Sequence, residues 1–373
     1  MTIRSGQMWT AAGWRAAELV FGETIQEIRE TEDAGTDYLI PGLIDVHVHG
    51  GGGHDTMDGE EGIRGLARFH ARHGTTTLLP TTITNPPEHI MTALRAVQEV
   101  RDRPGPQEAA VVGAHLEGPF LNPTRLGAQP PFAALPTASA VDELLSTDVV
   151  RVVTLAPEME GAWQAAETFT RAGVRVSLGH TQGRAEDAQG VIDAVLALGG
   201  VVGGTHLFNA MTGLSGREPG VVGALLAEPL AYAELILDLQ HVHPHSALSV
   251  IRAKPQRTLL ITDAMRAAGL PDGTYDLGGQ SVEVVGAEAR LAPGSSNPGS
   301  LAGSVLTMDG ALRGAVACGL TLHEAVCLAS AVPAAYLGLS DRGALTPGLR
   351  ADLVVLDSAL RVKQVYLGGQ ALY

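Results

Sequence analysis

Two histidines separated by a single residue stand in the segment DVHVH, which begins at Asp45. In a β-strand, side chains two residues apart project to the same side, so His47 and His49 would converge on one point. Two imidazoles on one strand face can supply half of a metal site. Two buried, hydrogen-bonded histidines would explain the segment equally well, so these residues alone leave both interpretations open.

Further side chains that can bind a metal or move a proton follow short apolar runs, where strands are predicted to end. Glu117, for example, comes after the run VVG and precedes a Gly-Pro pair, and burying its carboxylate without a cation would be costly. Because the carboxyl ends of barrel strands meet at one face, we expect these residues to share one site with His47 and His49. They are Glu117, His180, His206, His241 and Asp263.

This set contains imidazoles and carboxylates but no thiolate, which suits Zn²⁺, with Fe²⁺, Mn²⁺ or Co²⁺ as alternatives. On Zn²⁺ with an open coordination position, the pKa of bound water falls towards about 7, which gives hydroxide at neutral pH. Asp263, at the last strand end, is then placed to accept the water proton and deliver it to a leaving group. The expected chemistry is hydrolysis at a carbonyl carbon. If two ions bind, Glu117 is the only plausible bridge, because neither Lys254 nor Lys363, the only lysines, stands at a predicted strand end.

The other histidines and the two cysteines carry weaker signals. His115 precedes Glu117 by two residues and is expected one layer deeper on the same strand face, as a supporting or packing residue. His54 follows a glycine run near the first strand end, and its role stays open. Cys318 and Cys327 fall in an apolar helical stretch and are expected to be packing thiols.

Short β-branched runs alternate with alanine-rich helical stretches along the middle of the chain, a pattern typical of a parallel α/β fold. Helices are predicted over residues 60–72, 88–100, 162–172 and 184–198. Eight strand-helix units predict a (β/α)8 TIM-like barrel, whose active site lies at the carboxyl ends of the strands. The eight strands are predicted to start near Leu43, Thr75, Ala109, Val149, Val174, Val201, Tyr232 and Thr258.

The two ends of the chain differ from this middle part. Residues 1–40 and 344–373 have the pattern of short strands with glycine turns. They predict one small β-sandwich domain built from both termini, beside a barrel domain at residues 41–343. The stretch from Thr274 to Ser304, rich in Gly, Ser and Pro, is predicted as a long excursion after the eighth strand. Long loops at that face of a barrel often build the substrate pocket.

The composition describes a globular chain: 45% of its 373 residues are hydrophobic and 17% are charged. A net charge of -15 disfavours nucleic acid or an anionic membrane surface as the main partner, although a local basic pocket for an anionic substrate is compatible with it. Residues 1–10 lack a charged leader and an apolar stretch, and no run of about 18 apolar residues occurs. We therefore expect a cytoplasmic protein without a membrane anchor.

Several segments resemble, in order, those of the N-acetylglucosamine-6-phosphate deacetylase family within the amidohydrolase superfamily. The HxH pair is shared much more widely, whereas HLEGP and THLFNAM followed by GREPG are specific to this family. The resemblance runs from roughly Pro41 to Gly310, and the tail GALTPGLRADLVVLD resembles the return of an amidohydrolase chain into its small β domain. The matching segments are PGLIDVHVHG, HLEGPFLNP, LGHT, GTHLFNAMTGLSGREPG, LDLQHVHP, ITDAM and SLAGSVLTMDGAL.

The resemblance implies hydrolysis of the acetamide of N-acetylglucosamine 6-phosphate to glucosamine 6-phosphate and acetate. It gives Asp263 the role of catalytic acid/base and His241 that of polarising the substrate carbonyl. Arg217 would bind the phosphate across the interface of a homodimer, since arginine offers planar, charged donors suited to phosphate. The principal metal ligands implied are Glu117, His180 and His206. A second ion, bridged through Glu117, would use His47 and His49, and Asp263 is also counted among the metal-binding residues. Substrate contacts would come from Ala128, Gln129, Asn209, Ala210, Leu301, Ala302 and Gly303.

Two positions of this chain differ from those of many or some members of the family. Gln129 stands where many members have a histidine, so it could hydrogen-bond a sugar hydroxyl or phosphate but adds no charge there. Some members lack the two histidines of the first strand and hold one metal, whereas this chain has His47 and His49.

Other functions stay open on the sequence. The same hydrolysis could act on N-acetylgalactosamine 6-phosphate or on an unrelated amide. A non-catalytic sugar-phosphate sensor predicts loss of the acid/base, but Asp263 is intact. A purely structural barrel would leave the ligands at the strand ends unexplained.

Overall fold

The computed structural model describes residues 1–372. In chain order its strands are β1 (Thr2–Thr10), β2 (Gly13–Phe21), β3 (Ile25–Glu30), β4 (Tyr38–Pro41), β5 (Leu43–Val48), β6 (Gly50–Gly51), β7 (His54–Asp55), β8 (Thr75–Thr82), β9 (Ala110–Val111), β10 (Ala114–Glu117), β11 (Val150–Leu155), β12 (Arg175–Leu178), β13 (Val202–Gly204), β14 (Tyr232–Ile236), β15 (Thr258–Ile261), β16 (Gly273–Leu277), β17 (Gln280–Val285), β18 (Glu288–Leu291), β19 (Leu353–Leu356), β20 (Val362–Leu367) and β21 (Gln370–Ala371).

The helices lie mostly between the strands of the middle part. They are α1 (Glu60–Arg72), α2 (Pro87–Asp102), α3 (Ala138–Leu145), α4 (Ala162–Arg171), α5 (Ala185–Ala197), α6 (Gly220–Ala227), α7 (Pro244–Ala253), α8 (Met308–Ala317), α9 (Leu322–Ala329) and α10 (Ala331–Leu337), with a 3₁₀ helix at Thr56–Asp58. The four helices predicted from the sequence are α1, α2, α4 and α5, and their ends differ from the predicted ones by no more than two residues. Among residues 1–372, no helix is both long and apolar enough to cross a membrane.

Eight parallel strands form a barrel in the order in which they occur along the chain, namely β5, β8, β10, β11, β12, β13, β14 and β15. The first and last strands meet at their carboxyl ends, where Val48, the last residue of β5, bridges Ala264, which lies beyond β15, in parallel. The Asp263 N–H donates to the His47 carbonyl over 2.9 Å, and the His49 N–H donates to the Ala264 carbonyl over 2.9 Å. The predicted (β/α)8 barrel is therefore confirmed, and its closure brings the first and eighth strand ends together.

The barrel strands are buried on both faces because helices cover the outside and side chains fill the inside. Every residue of β5 and β8 is buried, including the threonines of β8. Helix α1 buries Ile63, Leu66 and Ala67 against the barrel and carries acidic residues in its first turn, where the helix dipole favours negative charge. This packing explains why apolar runs and amphipathic helices alternate in the sequence.

Both chain termini join one seven-stranded sheet, in the order β21, β20, β19, β4, β1, β2, β3. It has its own core, in which Met8, Leu19 and Phe21 pack with Leu353 and Tyr366. The predicted union of the two termini is thus confirmed, while domain boundaries at residues 40/41 and 343/344 stay a prediction.

Gly42 is the single residue between the terminal sheet and the first barrel strand. A Cβ atom at this position would lie 2.1 Å from the hydroxyl oxygen of Thr76, a distance that no side chain tolerates. The glycine therefore lets β4 run directly into β5. The close neighbour is Thr76 of β8, so a side chain at position 42 would collide with the second barrel strand.

The stretch from Thr274 to Ser304 is more ordered than the predicted excursion. It contains the antiparallel sheet β16, β17, β18. Val282 and Val284 of β17 are buried with Met265 and Ile83 in a small separate core, while the alternating residues Ser281, Glu283 and Val285 are exposed. This alternation is the period of a half-buried strand, and it was overlooked because the surrounding Gly, Ser and Pro residues dominate the composition.

Candidate metal centre and active site

Glu117, His180 and His206 form the principal cluster at the carboxyl ends of the barrel strands. Glu117 Oε1 lies 3.1 Å from His180 Nε2 and 3.0 Å from His206 Nε2, and the two imidazole nitrogens are 3.1 Å apart. All three residues are at most 5% exposed. Three potential ligand atoms facing one another at such distances can hold a divalent cation.

The backbone aims these side chains inward. His180, His206 and Asp263 each stand two residues beyond a barrel strand, after β12, β13 and β15. Each has a positive φ, of 49°, 29° and 51° respectively, which is uncommon for residues with a side chain and often occurs at functional sites. The left-handed backbone turns the chain sharply at each of these residues. Their side chains therefore point over the mouth of the barrel and do not follow the direction of the strand.

His47, His49 and Asp263 form a second cluster beside the principal one. Asp263 Oδ1 lies 3.5 Å from His47 Nε2 and 3.3 Å from His49 Nε2. Glu117 stands between the clusters, since its Oε2 is 3.1 Å from His49 Nε2 and its Oε1 is 3.6 Å from His47 Nε2. The structure thus brings together all six metal ligands expected from the sequence, with Glu117 in the place of a bridge.

The cluster carboxylates are held in their ionised form. Burial alone would raise the pKa of Glu117, but the charge on His47 and hydrogen bonds from His180, His206 and His47 hold it well below its ordinary value. Burial likewise opposes ionisation of Asp263, yet the charges of His47 and His49 and the hydrogen bond from His49 lower its pKa. Buried anions facing imidazoles on every side are the environment in which a cation binds.

Three of the four ligating imidazoles, those of His47, His49 and His180, have a partner at Nδ1 that fixes which nitrogen faces the site, whereas His206 Nδ1 is buried without a partner. His180 Nδ1 donates to the Arg125 carbonyl over 2.9 Å, and His49 Nδ1 donates to the Thr81 carbonyl over 3.2 Å. Because Nδ1 keeps a proton for its carbonyl partner, Nε2 is the nitrogen that would give up its proton and present a lone pair when a cation binds. His47 differs, because its Nδ1 lies 3.1 Å from a carboxylate oxygen, Glu234 Oε2.

Glu234 and Asp45 support the second cluster from below, and sequence reasoning missed both. Glu234 is 1% exposed and also accepts from the His206 N–H over 3.2 Å. Asp45 accepts from the His47 N–H and from the hydroxyl of Thr262, which ties the first barrel strand to the eighth. Burial raises the pKa of Asp45 to about 7. A carboxylate inside a wholly buried strand was the available signal at each position.

His115 belongs to a deeper layer, as expected for a supporting residue. It is fully buried, its Nδ1 lies 3.0 Å from the Val46 carbonyl, and its Nε2 lies 2.7 Å from the Thr154 hydroxyl. Its imidazole also lies near His47 and Glu234. Burial lowers the pKa of His115 to about 4, so it is neutral. Both of its nitrogens are occupied by hydrogen bonds, which leaves no lone pair for an ion.

His241 approaches the same site from the loop after β14. Its Nδ1 lies 2.6 Å from Asp238 Oδ2, and Asp238 Oδ1 accepts from the backbone N–H of His241 over 2.9 Å. Burial opposes protonation of His241, but the hydrogen bond and charge of Asp238 raise its pKa. Asp238 was not singled out from the sequence, although its place three residues before His241 was a usable signal.

A cavity of about 360 Å³ opens over both clusters. Most residues predicted to bind substrate line it, whereas Ala302 is fully buried beneath the surface and His47 lies behind His49. Arg217 is exposed and does not line the cavity of its own chain. The predicted residues in the lining are His49, Glu117, Ala128, Gln129, His180, His206, Asn209, Ala210, His241, Asp263, Leu301 and Gly303.

Arg125 is a lining residue that the sequence did not reveal. Within residues 1–372 it is the one arginine or lysine in the cavity wall. Its carbonyl also orients His180. A single arginine in a loop rich in small residues gave no pattern from which to predict it.

The chain matches the model of the amidohydrolase family over residues 38–254 and 257–372. It is 41% identical to an N-acetylgalactosamine-6-phosphate deacetylase from Escherichia coli O157:H7, over 99% of this chain and 98% of the relative. It is 38% identical to an N-acetylglucosamine-6-phosphate deacetylase from Lysinibacillus sphaericus, over 92% of this chain and 88% of the relative.

A solved structure resembles the whole fold. It is a variant of the N-acetyl-D-glucosamine-6-phosphate deacetylase from Mycobacterium smegmatis in complex with N-acetyl-D-glucosamine-6-phosphate, with a TM-score of 0.91 and 33% identity over 100% of this chain and 99% of that one. Barrel, strand-end clusters and sequence similarity along nearly the full length lead to one conclusion. The chain belongs to the amidohydrolase family.

Proposed function

We propose that this protein hydrolyses the acetamide of N-acetylglucosamine 6-phosphate to glucosamine 6-phosphate and acetate. The observation that carries the proposal is the meeting of two metal-binding clusters, Asp263 and His241 around one cavity. The substrate is that of the similar deacetylases from Lysinibacillus sphaericus and Mycobacterium smegmatis.

Glu117, His180 and His206 would hold the principal ion, and the second cluster would hold another, with Glu117 shared between them. Carboxylate and imidazole donors without a thiolate suit Zn²⁺, with Fe²⁺, Mn²⁺ or Co²⁺ as alternatives. A bound divalent cation would lower the pKa of water and polarise the acetamide carbonyl.

Asp263 is the proposed acid and base. Its carboxylate accepts a proton from the attacking water as the carbon–oxygen bond forms, and then gives that proton to the amine nitrogen as the carbon–nitrogen bond breaks. The products are acetate and the free amine. Asp263 is 7% exposed and reaches the cavity, so it can serve both steps.

His241 is the proposed donor to the carbonyl oxygen. Asp238 accepts the Nδ1 proton, so only a protonated His241 also carries a proton on Nε2 that it can donate. The raised pKa of His241 favours this form. A positive donor at the place where negative charge develops stabilises the transition state more than the ground state.

The phosphate is proposed to sit on the loop from His206 to Ala210. His206, Phe208 and Ala210, every second residue, have positive φ values. When the sign of φ alternates along a segment, successive backbone N–H groups point to one side and can bind an anion. Asn209 and Ala210 line the cavity beside this loop. Ala128, Leu301 and Gly303 line the rest of the cavity, where the sugar ring is proposed to bind.

Arg217 would complete the phosphate site from the second subunit of a homodimer. It is exposed and lies outside the cavity of its own chain, which agrees with a contact to a neighbouring copy. Mixing Arg217→Ala subunits with Asp263→Asn subunits tests this, because a mixed dimer contains one site with both intact residues. Recovered activity is expected, and no recovery in verified mixed dimers would contradict the shared site.

N-acetylgalactosamine 6-phosphate is the second candidate substrate. The relative that acts on it is 41% identical over nearly the full length of both chains. Acetate release from both epimers, measured on one metal-analysed sample, decides between them through the ratio of kcat/KM values. Release from neither phosphorylated sugar would refute the deacetylase function.

A further inference from the structure

Gln129 lies in the cavity wall, but its side chain faces inward, and it is only 4% exposed. Its backbone N–H donates to the Leu126 carbonyl over 2.8 Å, which fixes the turn that carries it. The side-chain amide reaches two protein groups, the backbone N–H of Thr84 and the carboxylate of Glu117.

The orientation of this amide is determined by its partners. Gln129 Oε1 lies 2.7 Å from Thr84 N, and a backbone N–H can only donate, so the atom facing it must be the oxygen. The NH₂ group is thereby turned to Glu117, where Nε2 lies 2.5 Å from Oε2. A hydrogen bond to an ionised carboxylate is about twice as strong as a neutral one.

This donor acts on one particular oxygen of Glu117. Gln129 holds Oε2, while Oε1 faces His180 and His206 at 3.1 and 3.0 Å. Rotation of the carboxylate would break the contact with Gln129 and turn Oε1 away from the two imidazoles. The glutamine therefore fixes the rotation of the ligand that the two clusters share.

We propose that Gln129 is a positioning residue of the metal centre, which acts by orienting Glu117 and not by recognising the sugar or phosphate. The proposal rests on the proposed metal-dependent function. It gives a reason for an amide at this position, since the site needs one acceptor for the Thr84 N–H and one donor for Glu117.

The need for one acceptor and one donor divides the possible substitutions of Gln129 into those that can serve both partners and those that cannot. Neutral histidine has one acceptor nitrogen and one donor nitrogen, so it can serve both partners. Methionine, of similar length, offers neither role. Asparagine keeps both groups, but its side chain is one methylene shorter, so its amide cannot reach Thr84 and Glu117 from the same backbone position. We therefore expect Gln129→His to preserve metal binding, and Gln129→Met and Gln129→Asn to weaken it.

Gln280 supplies a matched control. Its Nε2 donates to the Ala128 carbonyl over 2.8 Å, so it supports the residue next to Gln129. Its Oε1 accepts from Ser296 and does not bond to Glu117. Gln280→Met thus removes a glutamine that braces the same loop, while leaving the hydrogen bonds of Glu117 in place.

The test is Zn²⁺ affinity, measured on metal-free protein by competition with a chromophoric chelator, with kcat and KM at saturating metal on the same samples. Gln129→Met and Gln129→Asn are expected to weaken binding of the first ion on the order of 10- to 100-fold, with KM unchanged. Gln129→His and Gln280→Met are expected to bind as the unaltered protein does. Having two weakening variants keeps the test decisive if one of them fails to fold.

Unchanged Zn²⁺ affinity in both weakening variants, with a raised KM for the sugar phosphate, would overturn the proposal and assign Gln129 to substrate binding. Equal weakening by Gln280→Met would also overturn it, since loop support alone would then explain the effect. Because Zn²⁺ binding is read without substrate, an unaltered protein that binds Zn²⁺ but releases no acetate would refute only the proposed reaction. One that binds none of Zn²⁺, Fe²⁺, Mn²⁺ and Co²⁺ would refute both.

Discussion

The two clusters of the candidate metal centre share Glu117 but are supported by different chemistry. In the principal cluster, His180 takes its orientation from a neutral backbone carbonyl, and all three members line the cavity. In the second cluster, His49 also donates to a carbonyl and lines the cavity, but His47 takes its orientation from the buried carboxylate of Glu234 and lies behind the cavity wall.

This difference bears on what each cluster does. A ligand held by a carbonyl needs no buried charge, so the principal cluster can stand at the cavity surface where substrate arrives. The second cluster combines two buried imidazoles with Asp263 and Glu234, and such a group is stable only while its charges balance. We therefore expect the principal cluster to govern turnover and the second to respond most to changes in its supporting charge.

The largest effect is expected from removing the residue common to both clusters. Glu117→Ala takes away the carboxylate that faces His180, His206 and His49, so both ions should be lost. Turnover should fall by about three orders of magnitude or more, corresponding to several kcal/mol of transition-state stabilisation. Metal analysis and acetate release on the same sample check this, and retention of either ion would show that the clusters are independent.

Asp263→Asn should separate the chemistry from the principal ion. The amide keeps the shape of the side chain but cannot accept the water proton, so kcat should fall about 10²- to 10⁴-fold. The ion at Glu117, His180 and His206 should stay bound, because Asp263 belongs only to the second cluster. Near-normal turnover would refute the acid/base role.

Glu234→Gln should affect the second cluster alone. The amide keeps the volume but removes the charge beside His47 Nδ1, and loss of such a supporting carboxylate typically costs 10- to 100-fold in metal affinity. Titration with metal should show weaker binding of the second ion and unchanged binding of the first. Equal weakening of both would mean that Glu234 acts mainly through its bond to the His206 N–H.

Asp238→Asn should leave both clusters intact and shift only a pH profile. Asp238 raises the pKa of His241, and the proposed donor is protonated His241, so activity is present below that pKa and lost as the pH rises through it. Without the carboxylate the pKa of His241 falls, so the alkaline limb of the kcat profile should move to lower pH. A kcat profile with unchanged metal content checks this, and an unmoved limb would exclude His241 as its source.

Much of the site could be predicted from local sequence. The strand starts, and therefore the strand ends, follow from apolar runs of limited length, and parallel barrel strands end on one face. Glu117, His180, His206 and Asp263 could thus be grouped although they lie far apart in the chain. The same reasoning missed Glu234, because a single carboxylate in a strand gives no sign of which imidazole it will meet. It also missed Asp238, although its place three residues before His241 pointed to that imidazole.

Gln129 illustrates the limit most directly. Its residue type allowed a bond to sugar, phosphate or protein, and only the fold shows that Thr84 N–H and Glu117 occupy the two ends of its amide. For Arg217 the fold of one chain does not decide the role. Arg217 lies outside the cavity of its own chain, so the predicted phosphate contact requires a second copy of the chain.

The sequence by itself determined the barrel, the ligand types and their position at the strand ends, because these depend on periodicity and on chain order. The tertiary structure alone decided which nitrogen of His47, His49 and His180 faces the site and which buried group holds each ring in place. The physical reason is that such orientations come from contacts between distant residues, as between His47 and Glu234, which are 187 positions apart. No local pattern carries that information.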